Sequence, residues 1–173
     1  MAKFLIDTNV FIQAKNFHYK FCFCKGFWDL ILDLHEKQIL YSIKSVFDEL
    51  THNKNDELAI WINNNIPESF WLNHYQAYHT YSKIMNWANN QNFTSKAIQE
   101  FAREETADAW LVAYAVEHDF SIISQEKSNP LSKKKIYLAD VSREFTIPYF
   151  TIYEFLTEYT QPDFCYKEIF DNS

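Results

Sequence analysis

The chain has 173 residues, 47% of them hydrophobic, which suits one domain with its own core and marks no second one. Its single glycine, Gly26, excludes the glycine-rich loops that cradle phosphates in P-loop and dinucleotide-binding proteins. A net charge of −7 argues against a broad nucleic-acid-binding surface, although not against a nuclease, because clustered metal-binding acids add to the negative count.

Lys3 to Ile6 reads as a short buried strand, ended by the cap-type residues Asp7-Thr8-Asn9, after which Val10, Phe11 and Ile12 begin a helix. Phe27, Trp28, Leu30, Ile31 and Leu34 follow helical spacing. Gln38 to Tyr41 reads as a second strand, and Ser42 as the cap of a helix carrying Val46, Phe47 and Leu50. The stretch from Asp56 to about Arg103 reads as wholly helical, with a polar break at Asn89 to Asn92. A helix is expected from about Thr106 to His118, then strands at Ser121 to Ser124, Lys135 to Leu138 and Tyr149 to Thr151. A last helix runs from Ile152 to Tyr159. Strands separated by helices predict an α/β fold, a three-layer α/β/α sandwich on a mostly parallel sheet with a helical insert in the middle. One domain over residues 1–173 is expected.

No run reaches the roughly 18 apolar residues of a membrane span. The apolar stretch Phe4-Leu5-Ile6 stops at Asp7, unlike a signal peptide, so the expectation is a cytoplasmic protein with no membrane partner. The odd set Cys22, Cys24 and Cys165 fits thiols better than a disulfide framework, and Cys22 with Cys24 lacks the second pair of a structural zinc site. Aromatic residues make up 18% of the chain; their recurrence at core-facing spacing assigns most to the core, with stacking on bases as the alternative use. The run Lys133-Lys134-Lys135 reads as a solvated loop rather than a phosphate clamp.

Four acids fall at or near junctions between elements, where ligands gather in such sheets. Asp7 directly follows the first strand, although Asp is depleted in strands. Glu49 lies beside the apolar face of its helix, Asp108 in the first turn of the helix after Thr106-Ala107, and Glu126 beyond the strand Ile122-Ile123. Capping and dipole effects alone also favour Asp at a helix start. Acids far apart in sequence that converge on one point suit a hard cation such as Mg²⁺ or Mn²⁺, which takes oxygen ligands.

The run Phe4-Leu5-Ile6-Asp7-Thr8-Asn9-Val10-Phe11-Ile12 resembles the opening motif of PIN-domain nucleases, which include the VapC-type toxins. Val46-Phe47-Asp48-Glu49-Leu50 matches that family's second acidic helix. Ala107-Asp108-Ala109-Trp110-Leu111-Val112-Ala113-Tyr114-Ala115 matches its third motif, and Ile122-Ile123-Ser124-Gln125-Glu126 falls where it has a strand, a Ser or Thr and a fourth acid. The resemblance spans Phe4 to about Phe150. It is nearest to an uncharacterised bacterial branch that also carries Gly26-Phe27-Trp28-Asp29 and Asn55-Asp56-Glu57-Leu58-Ala59. Glu126 departs from the more common Asp, and the insert is longer than in the shortest members.

The resemblance implies metal-dependent hydrolysis of an RNA phosphodiester, with Asp7, Glu49, Asp108 and Glu126 as catalytic metal ligands for Mg²⁺ or Mn²⁺. Asn9 and Ser124 are then candidates to orient a carboxylate or water. It further implies the toxin of a toxin–antitoxin pair, with an antitoxin protein and a second copy of the chain as partners beside the RNA. Two other readings stand beside it. A haloacid-dehalogenase-like phosphatase also begins with Asp after a strand but wants a second Asp two residues on, where this chain has Asn9. A catalytically inactive PIN-fold binding module would keep the fold without the metal.

Overall fold

Phe4–Ile6 forms strand β1, and all three side chains are buried because the strand lies at the centre of the sheet. In the computed structural model, which describes residues 2–103 and 106–166, four more strands join it. They are β2 (Leu40–Ile43), β3 (Trp71–Leu72), β4 (Ser121–Ile123) and β5 (Tyr149–Phe150). The order is β3-β2-β1-β4-β5 and every pairing is parallel, with Phe4 opposite both Leu40 and Ser121. Parallel neighbours need crossover connections, and helices supply them, so the molecule is the expected α/β/α sandwich.

The helices are α1 (Thr8–Gln13), α2 (Lys25–Glu36), α3 (Lys44–Thr51), α4 (Glu57–Asn65), α5 (Tyr78–Asn90), α6 (Ser95–Phe101), α7 (Asp108–His118), α8 (Leu138–Glu144) and α9 (Ile152–Tyr159). Helix α7 is the most enclosed: its seven residues from Ala109 to Ala115 are all buried. That is why its sequence reads as apolar all round rather than as one stripe. A small two-stranded antiparallel ribbon, β6 (Thr160–Gln161) with β7 (Cys165–Tyr166), follows α9. Cys22, Cys24 and Cys165 are free thiols. Among the described residues no helix is long and apolar enough to cross a membrane.

Three expectations need correction. Lys135 to Leu138 is not a strand. Residues 135–137 are irregular and Leu138 begins α8, because the Leu138 N–H is taken by the Glu126 carboxylate instead of a neighbouring strand. Ser42 does not cap α3. It lies inside β2, which runs two residues later than expected, and its hydroxyl donates to the Ile6 carbonyl at 2.6 Å, tying β2 to β1. The insert is not wholly helical, since Trp71–Leu72 pairs with β2 as the edge strand; two residues are too few to show a period.

Having one glycine, the chain uses Gln38, Asp119 and Thr146 where the backbone turns left-handed, each at φ 59°. Asp119 sits at the end of α7, where glycine is the usual choice.

Helix α9 starts with a capping box: Thr151 Oγ1 accepts from the Glu154 N–H and Glu154 Oε2 accepts from the Thr151 N–H. Its Phe155 packs on Phe4 with ring centroids 5.0 Å apart, so the cap also fixes the helix against β1. Thr151→Ala should cost about 1 kcal/mol. The thermal midpoint, followed by circular dichroism, should fall by about 2–4 °C.

Candidate active site

The strand order reverses direction at β1: β2 and β3 lie to one side of it, β4 and β5 to the other. In open α/β sheets the crevice beyond the strand ends at such a switch point is the usual ligand site. Asp7 follows β1 and Ser124 follows β4, so the topology itself sets them side by side.

Asp7 is 3% exposed and serves as the N-cap of α1, accepting from the Thr8 N–H at 2.7 Å. The Ser124 hydroxyl donates to its other oxygen, also at 2.7 Å. Asn9 locks this corner: its amide nitrogen donates to Ser124 Oγ at 3.0 Å and its carbonyl oxygen accepts from the Gln125 N–H at 2.8 Å. Of the two residues expected as orienting groups, Ser124 bonds Asp7 directly and Asn9 bonds Ser124.

Glu49, on α3, is reached from the next residue along. Thr8 Oγ1 donates to Glu49 Oε2 at 2.8 Å, and the Ala107 N–H supplies a further bond at the start of α7. Asp108 is the first residue of α7, half-buried, with its carboxylate in the field of Asp7, Glu126 and Glu49. Glu126 lies at the rim with both oxygens engaged. One pairs with Lys135 and the other accepts from the Leu138 N–H. It ties the irregular segment and α8 to the end of β4.

The electrostatics follow from burial without enough countercharge. Burial pushes the Asp7 carboxyl from its ordinary 3.8 up to about 7, against the pull of the Ser124 hydroxyl, and Glu49 and Glu126 add to the rise. Asp108 is raised well above the ordinary value by burial first, then by Asp7, Glu126 and Glu49, with Lys135 opposing. Glu49 is raised by burial of its carboxylate despite the bonds from Thr8 and Ala107. Burial alone would lower the Lys135 ammonium, but Glu126 and Asp108 outweigh it and the net shift is upward.

Three contributors escaped the sequence reading. Thr8 looked like an ordinary helix-start residue, yet it links Asp7 to Glu49. Lys135 belongs to the run read as a solvated loop and is instead the partner of Glu126. Tyr149 donates to the Glu126 carbonyl at 2.7 Å, and its hydroxyl is raised by burial and by Asp7, Glu126 and Asp108. Only the strand following Pro148 hinted at it.

Two clefts open beside the acids. Glu49, Asp48, His52 and Arg103 line one of about 590 Å³. Asp108, Arg103, Thr106 and Lys135 line another of about 270 Å³, so Arg103 is common to both.

A family model described as a domain of unknown function, DUF4411, matches residues 4–161. The chain belongs to that family. No curated protein and no solved structure matches it. In this DUF4411 member the matched span takes in Asp7, Glu49, Asp108 and Glu126 together with the whole five-stranded sheet.

The acids bear on whether a divalent cation fits. Among the described residues no three His, Cys, Asp or Glu side chains converge into a complete ligand set. Mg²⁺, however, commonly binds through one or two carboxylates and keeps several waters. Asp7 and Asp108 suit that mode, the second raised in part by the first, and Glu49 bears on both.

The sign of the pH dependence is fixed by these shifts. A carboxyl whose pKa is about 7 in the fold and 3.8 otherwise binds its proton more tightly when folded. Without divalent ions, stability should therefore rise as the pH falls from 8 to 6 and the Asp7 charge is lost. Asp7→Asn should flatten this rise by about 2–8 °C in thermal midpoint, the shift expected for 1–2 kcal/mol in a chain this long. An amide can still accept from the Thr8 N–H while offering its NH₂ to Ser124, so the fold should survive.

Proposed function

We propose that the chain is a divalent-metal-dependent endoribonuclease with a PIN-like active site that hydrolyses RNA phosphodiester bonds. The observation that carries the reading is the pair Asp7 and Asp108. Asp7 sits at the switch point of the sheet; both carboxyls are raised by burial, Asp108 also by Asp7, and the clefts beside them reach Glu49 and Lys135. Mg²⁺ or Mn²⁺ held by Asp7 and Asp108 would lower the pKa of a bound water and neutralise charge building on the phosphate.

The chain's own residues have separable tasks. Asp7 is held in one orientation by the Thr8 N–H and the Ser124 hydroxyl, so it needs little reorganisation. Glu49 lines the larger cleft and has a raised carboxyl, which suits it to take a proton from the attacking water. Lys135, paired with Glu126, places positive charge near Asp108, where a phosphate would approach. Asn9, where a haloacid-dehalogenase-like phosphatase would need its second Asp, is committed to Ser124 and Gln125. That leaves the phosphatase reading without an acid/base group. By the resemblance, the proposal extends to the toxin of a toxin–antitoxin pair.

The test is cleavage of a labelled RNA with and without Mn²⁺, resolved on a gel. Cleavage should require the metal. Ser124→Ala should lower the rate about 10–100-fold, as expected for loss of a group that orients a ligand. Asp7→Asn and Asp108→Asn should lower it further while the circular dichroism spectrum is kept. Full activity in both Asn variants, or metal-independent cleavage, would contradict the proposal.

A further inference from the structure

The smaller cleft beside Asp108 does not end at Lys135. Lys135 and Ile136 also line a third cleft, of about 160 Å³, whose walls include Trp87, Phe93, Tyr137 and Arg143. The three clefts thus adjoin in a row, and a cation stands at each shared wall: Arg103 between the first and second, Lys135 between the second and third. The Lys135 ammonium also lies over the Tyr137 ring, 4.9 Å from its centroid.

The third cleft differs in character from the other two. Trp87 and Phe93 are half-buried and meet in a T-shaped contact at 6.0 Å, and Phe145 backs Trp87 in the same way at 5.7 Å. Among the described residues no ring stacks face to face on Trp87. Trp87 lies in the last turn of α5, and Phe93 lies between α5 and α6, in the helical insert. The Thr94 N–H donates to the Lys133 carbonyl at 2.8 Å, which holds the insert against the lysine segment.

We infer that this row of clefts is a track for a single nucleic-acid strand, with a base-stacking shelf at Trp87 and Phe93 and phosphate contacts at Arg103 and Lys135. The inference rests on the nuclease reading and names the substrate class of the same site. Aromatic faces beside cations are how proteins hold single strands without reading sequence, since every base offers a π-face. A paired base is stacked within its duplex and cannot occupy the shelf. The net charge of −7 fits a partner gripped at a few points, not along a broad basic face.

The experiment uses the full chain carrying Asp7→Asn in Mn²⁺, so that RNA is held and not cut, with binding followed by fluorescence anisotropy. The probes are a labelled 12-nucleotide single strand and a hairpin of the same length. The single strand should bind at least 10-fold more tightly. Trp87→Leu should weaken it by 10-fold or more, in line with the loss of one stacked base. Arg103→Ala, a change at an exposed residue that should not affect folding, should reduce the steepness of the salt dependence by about 0.7, the value for one single-strand phosphate contact. The same two substitutions in the Asp7 background should raise KM for cleavage more than they lower kcat. Equal binding of hairpin and single strand, or unchanged binding and KM in both variants while the Asp7 chain still cleaves RNA, overturns the track and leaves the nuclease standing. If the Asp7 chain cuts no RNA in Mn²⁺, both readings fall.

Discussion

The bond from the Ser124 hydroxyl to Asp7 is the contact on which the site depends. It closes the gap between the ends of β1 and β4 where the sheet changes direction, and it fixes a carboxylate that is almost wholly removed from water. Everything else in the pocket is placed relative to that corner. Thr8 follows Asp7 and holds Glu49; Asn9 follows Thr8 and holds Ser124; Glu126 follows two residues after Ser124 and holds α8. Two short segments, one after each central strand, organise residues from α3, α7 and α8 into one pocket.

That arrangement is electrostatically unfavourable as it stands. Glu49 and Glu126 raise Asp7, all three raise Asp108, and Lys135 is a cation that faces both Glu126 and Asp108. Burial amplifies the repulsion because little water remains to screen it. A fold under no other demand would replace such acids with neutral groups, as buried charges are costly unless compensated. Perturbed acids grouped in a cleft are accordingly a mark of function. On the proposed reading, that compensation is a cation bound from solution, with the substrate phosphate following it.

Much of this could be read in the chain itself, for definable reasons. Asp7 announced itself because an acid directly after three buried apolar residues cannot be explained by the strand. Helix α7 was legible from its run of small and apolar residues, and the capped start of α1 from Asp7-Thr8-Asn9. What could not be read depends on contacts distant in sequence. Lys135 looks like one of three solvated lysines until the loop folds back on Glu126, and Leu138 looks like the end of a strand until Glu126 takes its N–H. Trp71–Leu72 is too short for any period, and its pairing with β2 is decided by the sheet. The Trp87 and Phe93 shelf is composed of aromatics that periodicity alone assigns to the core.

The central claim is that the acidic pocket takes a divalent cation in exchange for protons. Calorimetric titration with Mn²⁺ at pH 6.5, in two buffers of different ionisation enthalpy, measures that exchange directly. Because Asp7 is raised to about 7, it is largely protonated at this pH and must release its proton for metal to bind. The account predicts saturable binding with proton release that declines by pH 8.5, and both binding and release lost in Asp7→Asn. Binding with no proton release at pH 6.5, or the same release from wild type and Asp7→Asn, would contradict it.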